Sequence, residues 1–410
     1  MDGRIDSREA WMVSAAALVV LSVTFGAPYI VIVALKTIAA EVGGQRSIPS
    51  AANSLAWLGT GIGGLAMGLI AERIGVRWTV IFGALMVCAG LALSSLGGTW
   101  YLWIGHGLLV GLLGAAGINA PLYVYVTRWF EKRRGTALAL IASGQYISGA
   151  VWPPFFERAI EAWGWQSTMR GFGLLVAAVV VPLALIFLKT PPQLPPPTAS
   201  STARDAHDRV LGLPRNVTFW LLAGASFLCC IPMSMPQTHL IAFCGDLGLA
   251  AGRGALMLSM LLTLAFLSRQ YWGWLSDRIG GLMTLLLCSG AMAIAMTGFL
   301  FANDEASLFV ASAVFGLGFS GMIPAYVLTA REHFPAKEAP WRMPLLLLTG
   351  TSGMAMGSWG AGKLYDTYGF YAPAFATGLT ANILNFLILA TLVLLWRRSL
   401  KLAPAAIKST

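Results

Sequence analysis

GWLSDRIG, residues 273–280, closes one apolar stretch, and a near copy, GLIAERIG, closes another at residues 68–75. Glycine, an acid, arginine, isoleucine and glycine recur in register after 205 positions, half of the 410-residue chain. A repeat at half the chain length implies two similar units. Each copy follows an apolar run of the roughly 20 residues a bilayer-crossing helix needs. Working outward from both, such runs continue to the ends, near 11–35, 51–71, 79–97, 100–127, 136–156, 171–189, 217–243, 254–275, 282–302, 306–330, 343–362 and 373–396. The expected fold is an all-α membrane protein of twelve transmembrane helices in two pseudo-symmetric six-helix bundles, residues 1–189 and 217–410. Between them, residues 190–216 begin in the Pro-, Ser- and Thr-rich KTPPQLPPPTASSTARDAHDR (189–209) and read as a flexible cytoplasmic linker.

Composition agrees. Hydrophobic residues make up 57% and charged residues 11%, against about 25% charged in soluble domains. The first run is too long for a cleaved signal peptide, and a second span follows it without a small-residue cleavage site. With both termini inside, 20 of the 27 Lys and Arg fall in cytoplasmic segments and six outside, Arg269 being the one left over. That bias fits the positive-inside rule and points to a bacterial inner membrane. It also accounts for the net charge of +10 without a nucleic-acid partner, since the cations spread over short loops. The five cysteines show no metal-like spacing and read as packing residues.

Two parallel six-helix repeats place a binding site near the bilayer midplane between them, which suits a secondary transporter. No GxxxxGK[ST] stretch supplies a nucleotide-driven pump. No nucleophile, metal cluster or paired acids gather in one place, so an enzyme, a cofactor and a metal are not expected.

The two loop motifs, with Arg77 and Gly281 extending them, resemble the loop signature of the major facilitator superfamily across all twelve spans. The resemblance implies that Glu72 with Arg73, and Asp277 with Arg278, clamp neighbouring helix ends in one conformation and release them in the other. The alternative is that these charges only set topology. Glu72 stands where the family usually has Asp. WFEKRRGTALALIASGQ (129–145) resembles the fifth-helix signature of monocarboxylate transporters and their bacterial relatives through Trp129, Phe130, Arg133, Arg134, Ala137 and Gly144, with Ala139 in place of a usual Gly. Arg133 and Arg134 join the clamp set. SRQYWGWLSDR (268–278) resembles the eighth helix of the same family, and that implies Arg269 as the anchor for a substrate carboxylate.

The residues themselves give Arg269 an independent reading. An arginine inside a span costs at least about 2.5–3.5 kcal/mol, so something must compensate. It lies seven residues from Ser276, about 10 Å along a helix, so one alternative is snorkelling. The other is a place in the central cavity, where a planar guanidinium matches a carboxylate bidentately. Asn119 lies at about the same depth on the fourth span and can donate to a substrate, and Tyr123 shares its face. Around them, GINAPLYVYV (117–126) suggests a loosened helix at Pro121. Gln145 and Tyr146 on the fifth span, Tyr29 after Pro28 on the first, and Ser320 and Tyr326 on the tenth complete the substrate-binding candidates. For Tyr123, and for Tyr125 near it, an interfacial aromatic belt is the alternative.

Proton coupling has few groups to use. Eukaryotic monocarboxylate transporters often place a proton-linked Lys where Tyr29 stands and an Asp where Ala265 stands, so their scheme is not available here. No Asp or Glu falls inside a span. His239, between Pro232 and Pro236, which could open the seventh helix, reads either as an outer gate or proton relay or as a packing histidine; His106 reads as packing. The expected function is secondary active transport of a small organic monocarboxylate, lactate- or pyruvate-like, by alternating access with a proton. Its partners are the anion, a proton or counter-anion, and the lipid bilayer, with the chain working as a monomer. The other readings are an oxalate/formate-type anion exchanger, an exporter of drugs or metabolites, and a transport-dead metabolite sensor.

Overall fold

The computed structural model describes residues 5–131, 133–189, 191, 209–335 and 338–402. Helices dominate. The first half comprises α1 (Arg8–Thr24), α2 (Ala27–Val33), α3 (Leu35–Glu41), α4 (Ser47–Ile74), α5 (Val76–Ser94), α6 (Thr99–Trp103), a π-helical segment Ile104–Ala115, α7 (Ala116–Thr127), α8 (Arg134–Ala142) and α9 (Gly144–Phe187). The second comprises α10 (Arg215–Asp246), α11 (Ala251–Ile279), α12 (Gly281–Phe301), α13 (Glu305–Phe319), α14 (Met322–His333), α15 (Ala339–Tyr368) and α16 (Ala372–Leu402).

Among the described residues, ten stretches are long and apolar enough to cross a membrane by length and composition. One of them, the 53-residue Gly135–Phe187, makes two passes. Trp152 and Phe172 have ring centroids 4.8 Å apart, whereas twenty residues of straight helix span about 30 Å. The chain turns back at Gly164, whose φ of 77° and ψ of 160° no helix contains. The twelfth pass is α15, 30 residues long, which packs along α4 and α10. Large apolar side chains such as Leu174, Ile294 and Val310 face outward, as lipid allows and water would not.

The repeated motif has one local cause in both halves. Gly75 and Gly280 adopt φ of 90° and 81°, a left-handed conformation glycine takes without strain, and each ends one helix and starts the next. The fourth span departs from expectation. It is loosened not at Pro121, which sits inside α7, but upstream in the π-helical segment, where Gly107 and Gly111 let its backbone lie against Leu55 and Ala56 of α4. The seventh span is not opened by its prolines: α10 runs unbroken through Pro232 and Pro236. Ser234 and Gln237 donate side-chain hydrogen bonds to the carbonyls of Ile231 (3.1 Å) and Met233 (2.7 Å) there. The tenth span breaks at Ser320–Gly321 between α13 and α14.

The linker ends in structure. Arg209–Val210 (β1) and Leu213–Pro214 (β2) form a two-stranded antiparallel hairpin, tied down by Thr218, which donates to the Val210 carbonyl at 2.8 Å. Most of the expected linker, residues 192–208, lies outside the described residues. The face bearing this hairpin is the terminal face, and the opposite one the distal face.

Candidate functional site

Between the halves, α2, α4 and α9 of the first meet α10 and α15 of the second around a cavity lined by Tyr29, Asn53, Trp57, Gln145, Gln237 and Thr238 among others. Its volume is about 30 Å³, room for a water molecule but not for an organic anion. Among the described residues no acidic or basic side chain lines it. Gln145 accepts and donates no hydrogen bond among the described residues, so its amide is available to an occupant.

Arg269 is linked to this cavity through Tyr146, the neighbour of the lining residue Gln145. Its guanidinium carbon lies 5.1 Å from the centroid of the Tyr146 ring, a cation–π distance, and its charge acts on Tyr123 as well. Among the described residues it has no ion pair and no hydrogen bond. Tyr146 is buried and meets Phe319 edge-on at 6.0 Å. Tyr29 is within electrostatic reach of Tyr146, and it packs against Gly149, where any Cβ would collide with the phenol and with Leu262 of the other half. The break in the tenth span lies alongside: Ser268 and Trp272 donate to the carbonyls of Gly316 (3.2 Å) and Leu317 (2.7 Å) in the last turn of α13. A helix C-terminus favours a nearby cation.

The fold therefore gathers Arg269, Tyr146, Tyr123 and Tyr29, with Gln145 one residue from Tyr146. Asn119 is half-buried one turn from Tyr123, and its Oδ1 is buried with no partner among the described residues. Two candidates are spent elsewhere. Ser320 pairs with Ser268 at 2.8 Å, and Tyr326 donates to Asn385 Oδ1 at 2.9 Å. Both are buried inside the second half, because the kinked tenth span turns them toward α11 and α16 and away from the cavity.

The loop charges are mostly disengaged. Glu72 reaches Arg128 only at 4.0 Å with both side chains about half exposed (62% and 45%). Arg73, Asp277 and Arg133 are exposed without an ion pair among the described residues, and Arg278 lies over the Trp274 ring at 4.0 Å. The Arg134 side chain lies outside the described residues.

The distal face carries a network that sequence reasoning missed. Arg46, at the start of α4, makes a bidentate pair with Asp246 at the end of α10, both contacts 2.5 Å, and stacks over Tyr365 at 3.6 Å. Lys36 adds a bond to Asp246 at 3.0 Å. Burial disfavours the charge on Arg46, but the Asp246 partnership outweighs it and holds the guanidinium protonated. Asp366 of α15 accepts the backbone N–H groups of Arg46 (2.7 Å) and Ser47 (3.0 Å), so one half caps a helix of the other. His239 lies beneath. Its Nε2 meets the Ser358 carbonyl at 2.8 Å and must donate; its Nδ1, 3.0 Å from the Tyr371 hydroxyl, then accepts. Tyr371 in turn accepts from Arg46 Nη1 at 3.0 Å.

Deeper, Asn53 donates across the halves to Thr238 (3.2 Å) and Ser358 (3.1 Å), and Ser54 donates to the Ala355 carbonyl at 2.7 Å. Hydrogen bonds and ion pairs between the halves, among the described residues, lie at the distal face or the midplane and never at the terminal face. The distal face is shut. An amide at mid-span such as Asn53 was a signal available in the sequence; the pairing of Arg46 with Asp246 was not.

Two six-helix halves meeting at a midplane polar site, closed on one face, define a membrane transporter. The chain belongs to the Major Facilitator Superfamily, whose model matches residues 15–302 and 222–408. It is 24% identical over 269 residues to an MFS-type transporter of Ophiocordyceps, covering 65% of this chain and 58% of that one. It is also 29% identical over 237 residues to monocarboxylate transporter 12-B of Danio rerio, about half of each chain (51% and 50%). Among solved structures, a peptide transporter POT in complex with sulfate superposes with a TM-score of 0.72 at 16% identity, covering 94% of this chain and 95% of that one. At that identity the likeness speaks for the fold alone.

Proposed function

We propose that this transporter carries small organic monocarboxylate anions together with a proton. The observation that supports it is Arg269: a cation inside the membrane, held by Tyr146 at the junction of the halves, with no carboxylate among the described residues to neutralise it. Its cost in lipid is offset when a substrate carboxylate completes the pair. One intramembrane cation suits one carboxylate; multiply charged acids want more. Tyr123, Tyr146, Tyr29, Gln145 and Asn119 supply the remaining contacts, and the similarity to a protein named as a monocarboxylate transporter favours the same class. The chain lies in a bacterial inner membrane with the terminal face cytoplasmic, as its basic residues direct. With the distal face closed and the loop charges apart, the state described is one that opens inward. The substrate enters from the distal side, pairs with Arg269, and is released after the halves rock.

Uptake of radiolabelled lactate, pyruvate, formate and oxalate into proteoliposomes tests the proposal. One monoanion enters, faster with an inward proton gradient, and Arg269→Ala abolishes the flux. Flux that requires a preloaded counter-anion makes the protein an exchanger, and normal flux in Arg269→Ala removes the carboxylate anchor.

A further inference from the structure

The distal network divides its charges unevenly between the halves. Arg46 and Lys36 belong to the first half; Asp246, Asp366, His239, Tyr365 and Tyr371 belong to the second. While the face is closed, two cations meet two carboxylates and His239 is neutral at Nδ1. Lys363, on α15 with Asp366, is exposed. For the face to open, Arg46 and Lys36 must leave with their half. What remains on the second half is two carboxylates, a histidine and a tyrosine hydroxyl with no cation among them.

We propose that opening the distal face creates a proton-binding site, His239 with Asp366 and Asp246, for which Arg46 and the proton compete. The inference rests on the proton-symport reading above and names where that proton binds. Two features carry it. The first is charge: a cluster that loses two cations regains one by taking a proton, which in a low-dielectric setting is worth more than in water. The second is the wiring. Tyr371 accepts from Arg46 and donates to His239 Nδ1, so Arg46 fixes the hydrogen of the one hydroxyl that faces Nδ1. Once Arg46 departs, the Tyr371 oxygen is free to accept from a protonated Nδ1, while Nε2 keeps donating to the Ser358 carbonyl. One proton comes from the distal solution on opening, and the return of Arg46 on closing displaces it inward, toward the polar midplane beside His239 where Asn53, Thr238 and Gln237 line the cavity. This is the coupling a carrier without an intramembrane carboxylate otherwise lacks.

The test needs no substrate. Ser50 is fully buried between the halves and its carbonyl accepts from Ser358 at 3.3 Å. Ser50→Cys, in a full-length background with the five native cysteines replaced, reports distal opening by its labelling rate with a membrane-impermeant maleimide, scaled to the reagent's own pH dependence. The scaled rate rises as pH falls, by at most about tenfold per pH unit for one linked proton. Arg46→Gln raises it at every pH. His239→Gln, which keeps an N–H for the Ser358 carbonyl but cannot titrate, flattens the slope, and Asp366→Asn raises the rate and flattens it too. A pH-independent rate in the parent, or a parental slope in both His239→Gln and Asp366→Asn, overturns the proposal. Because no anion is present, failure here leaves the Arg269 reading standing, and failure of Arg269-dependent uptake leaves this slope unexplained by transport.

Discussion

Asp366→Ala removes the carboxylate by which α15 caps α4. The helix has no side-chain cap of its own, so its first N–H groups depend on a residue 320 positions away. Losing an N-cap costs about 0.5–2 kcal/mol, and losing a negative charge at a helix N-terminus costs about 0.3–1 kcal/mol more. Because the cap crosses the halves, the loss falls on the distal-closed state alone; the open state has already given it up. A penalty of about 2 kcal/mol shifts the balance toward opening roughly thirtyfold, at tenfold per 1.4 kcal/mol. Spin labels on Leu96 and Phe370, exposed residues of the two halves near the distal face, read the shift as a longer-distance population in pulsed dipolar spectroscopy. A distance distribution identical to the parent's, in a folded protein, refutes the reasoning.

Other outcomes follow from single sites. Gln145→Leu breaks no hydrogen bond among the described residues, so stability holds while the apparent affinity for a hydrogen-bonding substrate falls about tenfold, from the loss of about 1 kcal/mol or slightly more, read as a rise in the KM of uptake. Gly149→Val drives a side chain into Tyr29 and Leu262 and lowers the maximal transport rate at least tenfold with protein still in the membrane. At the terminal face, burial pushes the Glu338 carboxyl up, but hydrogen bonds from Arg215 and Arg342 outweigh it and hold the carboxyl below its ordinary range. That stabilisation is present above the unfolded value of about 4.3 and is lost as pH falls through the depressed native one, so thermal stability drops in acid and Glu338→Gln flattens that part of the profile.

Much of the fold was legible because lipid imposes length and apolarity on each pass, and the Arg-Ile-Gly of the two loop motifs marks the same turn at Gly75 and Gly280. The internal breaks were harder. Pro121 and the Pro232–Pro236 pair look like helix breakers, yet α7 and α10 absorb them, while the loosened segment is the glycine-rich Ile104–Ala115, whose distortion comes from close packing against α4 and α5. Arg269 was visible as a charge out of place; Tyr123 followed from the depth of Asn119, Tyr146 from its place beside a mid-helix Gln, and Tyr29 from the family resemblance. Ser320 and Tyr326 misled because depth alone does not say which way a side chain turns once the tenth span kinks. The distal network could not be read at all: Arg46, Asp246 and Asp366 sit at three separate helix ends, and only the tertiary fold brings them together.

The account stands on Arg269 pairing with a carboxylate, and competition by an acid and its amide tests that pairing most directly. Wild-type protein in proteoliposomes is inhibited by lactate far more strongly than by lactamide, which differs only in the charged group. The account predicts that Arg269→Ala erases this preference by losing affinity for lactate while leaving lactamide unchanged. A preference that survives the substitution contradicts it.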